Sequence, residues 1–206
     1  VTEDDALAII PDMPAIWDEP FADSSQIPTA LLAKLAREHV TVALSGDGGD
    51  ELFCGYTRHR AGERLERLPM KGVLAGALSL VPHRALAQAA QLMRGTENTS
   101  LSAERQVGLV DALRAGDRVE RYRNLRFRPS VAQRLMGTTP RYVGPYIPAG
   151  LDYLTAVSFA DTLDYLPDDI LVKVDRAAMA ASLETRVPLL DHRVVEQAWR
   201  TPLAFK

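Results

Sequence analysis

Val40-Thr41-Val42-Ala43-Leu44-Ser45-Gly46-Asp47-Gly48-Gly49-Asp50-Glu51-Leu52-Phe53 is the stretch whose reading sets the architecture. Its first five residues have the composition and length of a strand buried on both faces. Leu52 and Phe53 open an apolar stripe that continues to Tyr56 at helical spacing. The stretch therefore reads as strand, tight turn and helix. In open α/β sheets ligands gather at such a turn, beyond the carboxyl ends of the strands. Gly46, Gly48 and Gly49 permit positive φ or a close ligand approach, and a helix N-terminus offers N–H groups to a phosphate or carboxylate. Asp47 and Asp50 are three apart. If the turn is already helical they project from one side, where carboxylate oxygens can hold a Mg²⁺ that carries nucleotide phosphates. The structural alternative is that the acids merely favour a helix N-terminus and the glycines merely connect. The spacing fits neither a Walker loop, for want of Gly-Lys-Ser/Thr, nor the dinucleotide fingerprint.

The 206 residues suffice for one substantial core and a second lobe. At 47% hydrophobic and 25% charged the composition is that of a soluble globular protein. A net charge of −3, from 24 basic and 27 acidic residues, gives no signature for nucleic acid. The single cysteine, Cys54, excludes an internal disulfide, and nothing resembles a secretory signal, which suits a reducing cytoplasm. Cys54 reads as a small buried residue and not a nucleophile, with no histidine in its motif. The longest apolar run, Val73 to Val81, falls short of the ~20 residues of a membrane span and reads as a core helix.

Upstream, Thr2-Glu3-Asp4-Asp5 resembles a capping box before a short helix that Pro11 ends. The segment from Trp17 to Ser25 is dense in acids and hydroxyls between aromatic anchors. It reads either as a site or as a turn in which Asp23 and Ser24 cap the next helix. Ile27, Leu31 and Leu35 line one face of that helix, which leads into the Val40 strand as an αβα unit of a wound parallel sheet. Beyond Tyr56 the chain turns helical, with candidates over roughly 57–67, 71–80, 84–93, 102–115 and 117–127. Arg114, Arg118 and Arg121 share a face, but Asp111, Asp117 and Glu120 offset them, so a salt-bridged surface is the better reading. The four histidines lack metal-ligand spacing. Proline and glycine mark 129–150 as a loop.

A helix from Leu151 is expected to stop before Pro167, with Asp168-Asp169 capping a second, Ile170 to Leu183. There Lys173, Asp175 and Arg176 sit among apolar residues. Buried charges need partners, and Glu184, Arg186 and Asp191 are the nearby candidates. An internal ion-pair network and a ligand site are equally open for Lys173 and Arg176. Asp191 is a candidate cap for the last helix.

Three blocks now coincide in order: Asp18-Glu19-Pro20-Phe21-Ala22-Asp23-Ser24-Ser25, Ser45 to Phe53, and Leu166 to Arg176 running on through Glu184 to Asp191. Together they resemble the synthetase domain of glutamine-hydrolysing asparagine synthetase. The resemblance covers nearly the whole chain, although residues 60–150 match only in helical character. It implies an α/β fold of the ATP-pyrophosphatase (adenine nucleotide alpha hydrolase-like) type, mainly helical, with a short parallel-sheet portion near residues 40–44. Residues 1–206 would be part of one synthetase domain, with a sheet-side αβα portion over 1–56 and a mainly helical lobe over 57–206.

The resemblance also implies a reaction that uses ATP and Mg²⁺. The aspartate side chain attacks the α-phosphate of ATP, and ammonia from glutamine displaces AMP to give asparagine. By similarity Ser45 and Gly46 contact ATP, with Gly48 and Gly49 in the same nucleotide-binding turn. Asp47 helps to form and resolve the adenylate, Lys173 is the second catalytic candidate, and Asp50 ligates Mg²⁺. Tyr56 closes the pocket, while Asp18, Glu19, Asp23, Ser24, Asp175 and Arg176 bind substrate or support the site. The expected partners are aspartate, ATP, ammonia and a glutaminase domain of the same full-length chain, with no nucleic acid and no membrane; a homodimer stays open.

The departures from the family are Asp47 where some members carry Glu and Cys54 where Gly is usual. The Ser-Gly-Gly-x-Asp-Ser pyrophosphate loop, the glutaminase and a downstream lysine segment are absent from the sequence. The expectation is therefore the middle-to-late part of a synthetase domain, inactive alone. The alternatives are a related amidotransferase or β-lactam synthetase acting on another carboxylate, and a non-catalytic helical interaction module. An enzyme predicts Asp47, Asp50 and Lys173 at one crevice; a module predicts them scattered, or Lys173 shut in a closed ion pair.

Overall fold

The computed structural model describes residues 2–82, 84–85, 103–126, 137 and 147–206. The chain forms two compact units, Val1–Gly55 with Ser158–Lys206, and Tyr56–Val157.

In the first unit, α1 (Glu3–Ile9) opens on the expected capping box. The Thr2 N–H donates to Asp5 Oδ2 at 2.6 Å, and the Asp5 N–H donates to Thr2 Oγ1 at 3.3 Å. A 3₁₀ turn containing Pro11 leads into α2 (Met13–Trp17). Then comes α3 (Gln26–Arg37), whose Ile27 and Leu31 pack beside a core of Ile9, Trp17, Ala30 and Ala177. Leu35, expected on that face, is instead 47% exposed. The buried stripe of α3 runs through Ala30 and Ala33, small residues that let a neighbouring helix come close.

Strand β1 (Val42–Leu44) follows and α4 (Gly49–Phe53) comes after the turn. β1 pairs in parallel with β2 (Glu184–Arg186), Val42 opposite Glu184 and Leu44 opposite Arg186. The expectation of a strand buried on both faces does not hold. Ala43 packs on a core of Ala33, Ala178 and Leu183, whereas Val42 and Leu44 are 39% and 74% exposed. Alternation sends those two side chains to the opposite face from Ala43.

The helical run toward β2 is also different from expectation. α9 (Tyr153–Ala160) passes into an eleven-residue π-helical segment, Asp161–Leu171, and on into α10 (Val172–Ala180) without a break at Pro167. An α-helix cannot accept Pro167 without a clash against the carbonyl four residues back; the wider π turn relieves that clash and shifts the pairing by one residue. Asp168 and Asp169 thus lie inside the helix, and neither is the N-cap of α10, a position that falls to Leu171. After β2, a 3₁₀ turn (Pro188–Leu190) leads to α11 (His192–Arg200). Asp191 caps α11 as expected, accepting from the Arg193 N–H at 2.9 Å and from the Arg193 guanidinium at 2.9 and 2.7 Å.

The second unit holds α5 (Thr57–Arg67), α6 (Lys71–Leu80), α7 (Ala103–Arg114) and α8 (Arg118–Arg126). All four fall where the sequence predicts them; most of the helix expected over 84–93 and most of the 129–150 loop lie outside the described residues. Ala75, Val110 and Leu113 form one core and Tyr122, Tyr153 and Val157 another. The Val73–Val81 run is a core helix on one face only, since Val73 and Leu80 are exposed. Arg118 and Arg121 are salt-bridged, but their shared partner is Glu66 of α5 and not the three nearby acids, and Arg121 is buried, so the expected exposed face does not extend to it. His59 is buried, with Nε2 3.1 Å from the Tyr122 hydroxyl. Among the described residues no helix is long and apolar enough to cross a membrane.

Candidate functional site

At the carboxyl end of β1, the Ser45 N–H donates to the Arg186 carbonyl at 2.8 Å, so the sheet fixes the first residue of the turn. Ser45 Oγ donates to Asp47 Oδ2, and the Asp47 N–H reaches back to Ser45 Oγ at 3.4 Å. The helix starts only at Gly49, so Asp47 precedes it and helical spacing does not place Asp47 and Asp50 on one face.

The three glycines of the turn divide by environment. Gly48 has φ +86°, and a Cβ there would fall 2.8 Å from Leu190 Cδ2; a Cβ on Gly49 would lie 3.2 Å from Leu189 Cδ1. Both make room for the Pro188–Leu190 turn. Around Gly46 a Cβ would meet nothing within 4 Å. Asp50 is exposed on α4, and Gly55 presses so closely on its carboxylate that a Cβ there would overlap Oδ1. Cys54 adopts φ +56° and is buried.

A cavity of about 610 Å³ opens beside this turn. Its lining combines Ser45, Gly46 and Asp47 of the turn, Ser25 and Thr29, Lys173 of α10, and the apolar Leu32, Ala33, Ala36 and Leu183. Lys173 is buried, and its Nζ donates to Asp23 Oδ2 at 2.6 Å and to Ser25 Oγ at 2.7 Å. Burial pushes the Asp23 carboxyl up, but hydrogen bonds from Lys173 and from the Ser25 N–H and hydroxyl outweigh it and hold the group below the usual carboxylate range. One turn along α10, Arg176 donates to the Trp17 carbonyl and lies 3.5 Å from Glu19 Oε1. The partners of both cations thus come from the 17–25 segment. Glu184, Arg186 and Asp191, the candidates near in sequence, pair elsewhere.

Asp47 and Lys173 therefore meet at one cavity, and Lys173 is also in an ion pair, so features of both sequence readings coexist. Asp18, Glu19, Ser24 and Asp50 do not line the cavity. Asp18 ends α2 at φ +60° and Ser24 is exposed. Asp175 lines a separate cavity of about 370 Å³ with Pro167, Leu171 and Val187. Tyr56 belongs to the second unit, where the Arg58 guanidinium sits 3.4 Å above its ring. Sequence reasoning gave no role to Ser25 or Thr29. The signal for Ser25 was its position two residues after Asp23, where an Asx turn forms; its N–H donates to Asp23 Oδ1 at 2.8 Å.

The family model for asparagine synthase matches residues 1–206. The chain belongs to the asparagine synthase family. Asparagine synthetase (glutamine-hydrolyzing) 1 of Bacillus subtilis is 32% identical over 200 residues, covering 93% of this chain and 30% of that protein. A Mycobacterium tuberculosis protein provisionally named asparagine synthetase (glutamine-hydrolyzing) is 34% identical over 212 residues, covering all of this chain and 31% of its own length. A similar provisional name belongs to a Methanocaldococcus jannaschii protein that is 55% identical over 51 residues, 25% of this chain and 10% of that protein. The chain spans about a third of the length of the first two relatives. No solved structure matched it. In this member of the asparagine synthase family, then, the cavity draws together residues from all three sequence blocks, Ser25, the turn from Ser45 to Asp47, and Lys173, and its cation is tethered to Asp23 of the first.

Proposed function

We propose that the chain is part of an ATP-dependent ligase that adenylates the side-chain carboxylate of aspartate and passes ammonia derived from glutamine to it, giving asparagine, AMP and pyrophosphate. The single observation that carries this reading is the cavity at the carboxyl end of β1, whose lining includes Ser45, Gly46, Asp47 and Lys173. We take its fold to be of the ATP-pyrophosphatase type and the chain to be one part of a synthetase domain. The ammonia would come from a glutaminase domain of the same protein.

Gly46, with open space where a side chain would stand, allows a phosphate to approach the backbone. Lys173 supplies a fixed ammonium, and aimed donors of this kind stabilise charge as it develops on phosphate or acyl oxygens. Asp47, tied to Ser45, is the group within the cavity that can take a proton from the incoming ammonia. Among the described residues no set of three His, Cys, Asp or Glu side chains gathers as a metal site. That fits a Mg²⁺ held by one or two carboxylates and by the nucleotide itself. The exposed Asp50 suits such a role, and the ion would neutralise phosphate charge when bound.

The test is aspartate-dependent exchange of labelled pyrophosphate into ATP by the native protein, repeated with Asp47→Asn and Asp50→Ala. The reading expects exchange that requires aspartate and falls at least about a hundredfold in either variant. Exchange with another carboxylate but not with aspartate would move the assignment to a related amidotransferase; folded protein with no exchange would end it.

A further inference from the structure

The Lys173 ammonium is a poor device for simply holding the 17–25 segment to α10. Arg176 already ties that segment at its other end, through the Trp17 carbonyl and Glu19. A buried ion pair adds little net stability, because desolvation offsets most of the attraction. Its placement suggests another use. Lys173 lines the cavity, and an ammonium has three N–H donors, of which Asp23 and Ser25 take two.

The two acceptors are themselves fixed. The Ser25 N–H donates to Asp23 Oδ1, the Ser25 carbonyl accepts from Thr29 Oγ1 at 2.7 Å, and Gln26 Nε2 ties the preceding loop to the Phe21 carbonyl at 2.9 Å. A side chain with four rotatable bonds is thus held at its tip by partners that cannot follow it.

We infer that Asp23 and Ser25 are positioning residues: they hold the Lys173 ammonium against the cavity wall so that its third N–H is presented to an anionic oxygen of the substrate. The inference rests on the reading above for what occupies the cavity. Asp23 also balances the lysine charge while the cavity is empty, and the depressed titration of its carboxyl agrees with that service. Ser25 directs without adding charge, so its loss should loosen the ammonium and leave its charge in place.

The test uses the native protein with Ser25→Ala, Ser25→Thr, Asp23→Asn and Lys173→Met, and reads two quantities. The first is competitive acetylation by acetic anhydride, followed by mass spectrometry, with the exposed Lys34 as internal reference. A buried, doubly hydrogen-bonded Lys173 is expected to react at least about tenfold more slowly than Lys34, and Ser25→Ala and Asp23→Asn should each narrow that gap. The second is pyrophosphate exchange. Ser25→Ala should lower kcat by about ten- to a hundredfold, with the KM for ATP within about threefold. Ser25→Thr should recover most of the loss, and Ser25→Ala should cost nothing further in the Lys173→Met background.

A purely structural Ser25 would lower the melting temperature and leave kcat alone, and its effect would add to that of Lys173→Met; either result overturns the inference. So does a native Lys173 that acetylates as fast as Lys34. If the labelling pattern holds while the native protein exchanges no pyrophosphate, the positioning stands and the adenylation reading fails.

Discussion

Gly48→Ala separates a glycine kept for its backbone from one kept for a ligand. At φ +86° an L side chain costs about 1–2 kcal/mol. The new Cβ would also fall 2.8 Å from Leu190 Cδ2, the far end of a flexible side chain, and such overpacking costs roughly 1–3 kcal/mol. The sum is about 2–5 kcal/mol. Its neighbour is the control. Gly49 has an ordinary φ and its Cβ would be 3.2 Å from Leu189 Cδ1, a mild contact that the gain in helix propensity of about 1 kcal/mol offsets. Gly49→Ala should therefore stay within about 1 kcal/mol of the parent. Urea unfolding of the native protein measures both through the shift of the midpoint. In a Leu190→Ala background the clash disappears and the cost of Gly48→Ala should fall to the backbone share, about 1–2 kcal/mol. Equal losses for the two alanines, or an unchanged cost for Gly48→Ala after Leu190 is trimmed, would refute the reasoning.

Three further outcomes are expected. Gly55→Ala should displace the Asp50 carboxylate it abuts, so, on the proposal that Asp50 holds Mg²⁺, a titration of exchange activity against Mg²⁺ should show a raised Mg²⁺ requirement with little change in the KM for aspartate. Gly62→Ala places a methyl group on the buried Tyr153 hydroxyl and should destabilise by about 1–3 kcal/mol, with Tyr153→Phe in the same chain easing the loss, as thermal melts would show. Hydrogen bonds from the Arg193 side chain and N–H hold the Asp191 carboxyl well below the usual range. A depressed folded pKa gives stability that is present above the unfolded pKa of about 3.9 and is lost as pH falls through the folded value. Asp191→Asn, which keeps the cap but not the charge, should thus melt below the parent at pH 7, with the gap closing as the solution is acidified below about pH 4.

What the sequence disclosed depended on how local the cause was. Capping at Thr2 and Asp191 and the bounds of α5 and α6 were legible because their signals lie within a turn or two of the element. The ion pairs were not. Lys173 and Asp23 are 150 residues apart, and nearer acids were chemically equal candidates. β2 escaped because Glu184-Thr185-Arg186 has no apolar alternation; its strand is imposed by pairing with β1. Pro167 misled for a different reason. The rule that proline ends a helix assumes α pitch, and a π turn removes the assumption. The turn glycines were recognised as a group, but only packing shows that Leu189 and Leu190 account for two of them and leave Gly46 to face the cavity.

The split of the first unit into residues 1–55 and 158–206 has a consequence for how the chain is made. At a synthesis rate of about 5–20 residues per second, β1 leaves the ribosome roughly 7–30 s before its partner β2 exists. During that interval Val42 and Leu44 stand on an unpaired strand edge, and Lys173, the counter-ion of Asp23, has yet to be made. Tyr56–Val157 can meanwhile fold on contacts of its own, so birth order puts the inserted unit first and the cavity last. A nascent chain stalled near residue 150 should therefore be the species most in need of a chaperone.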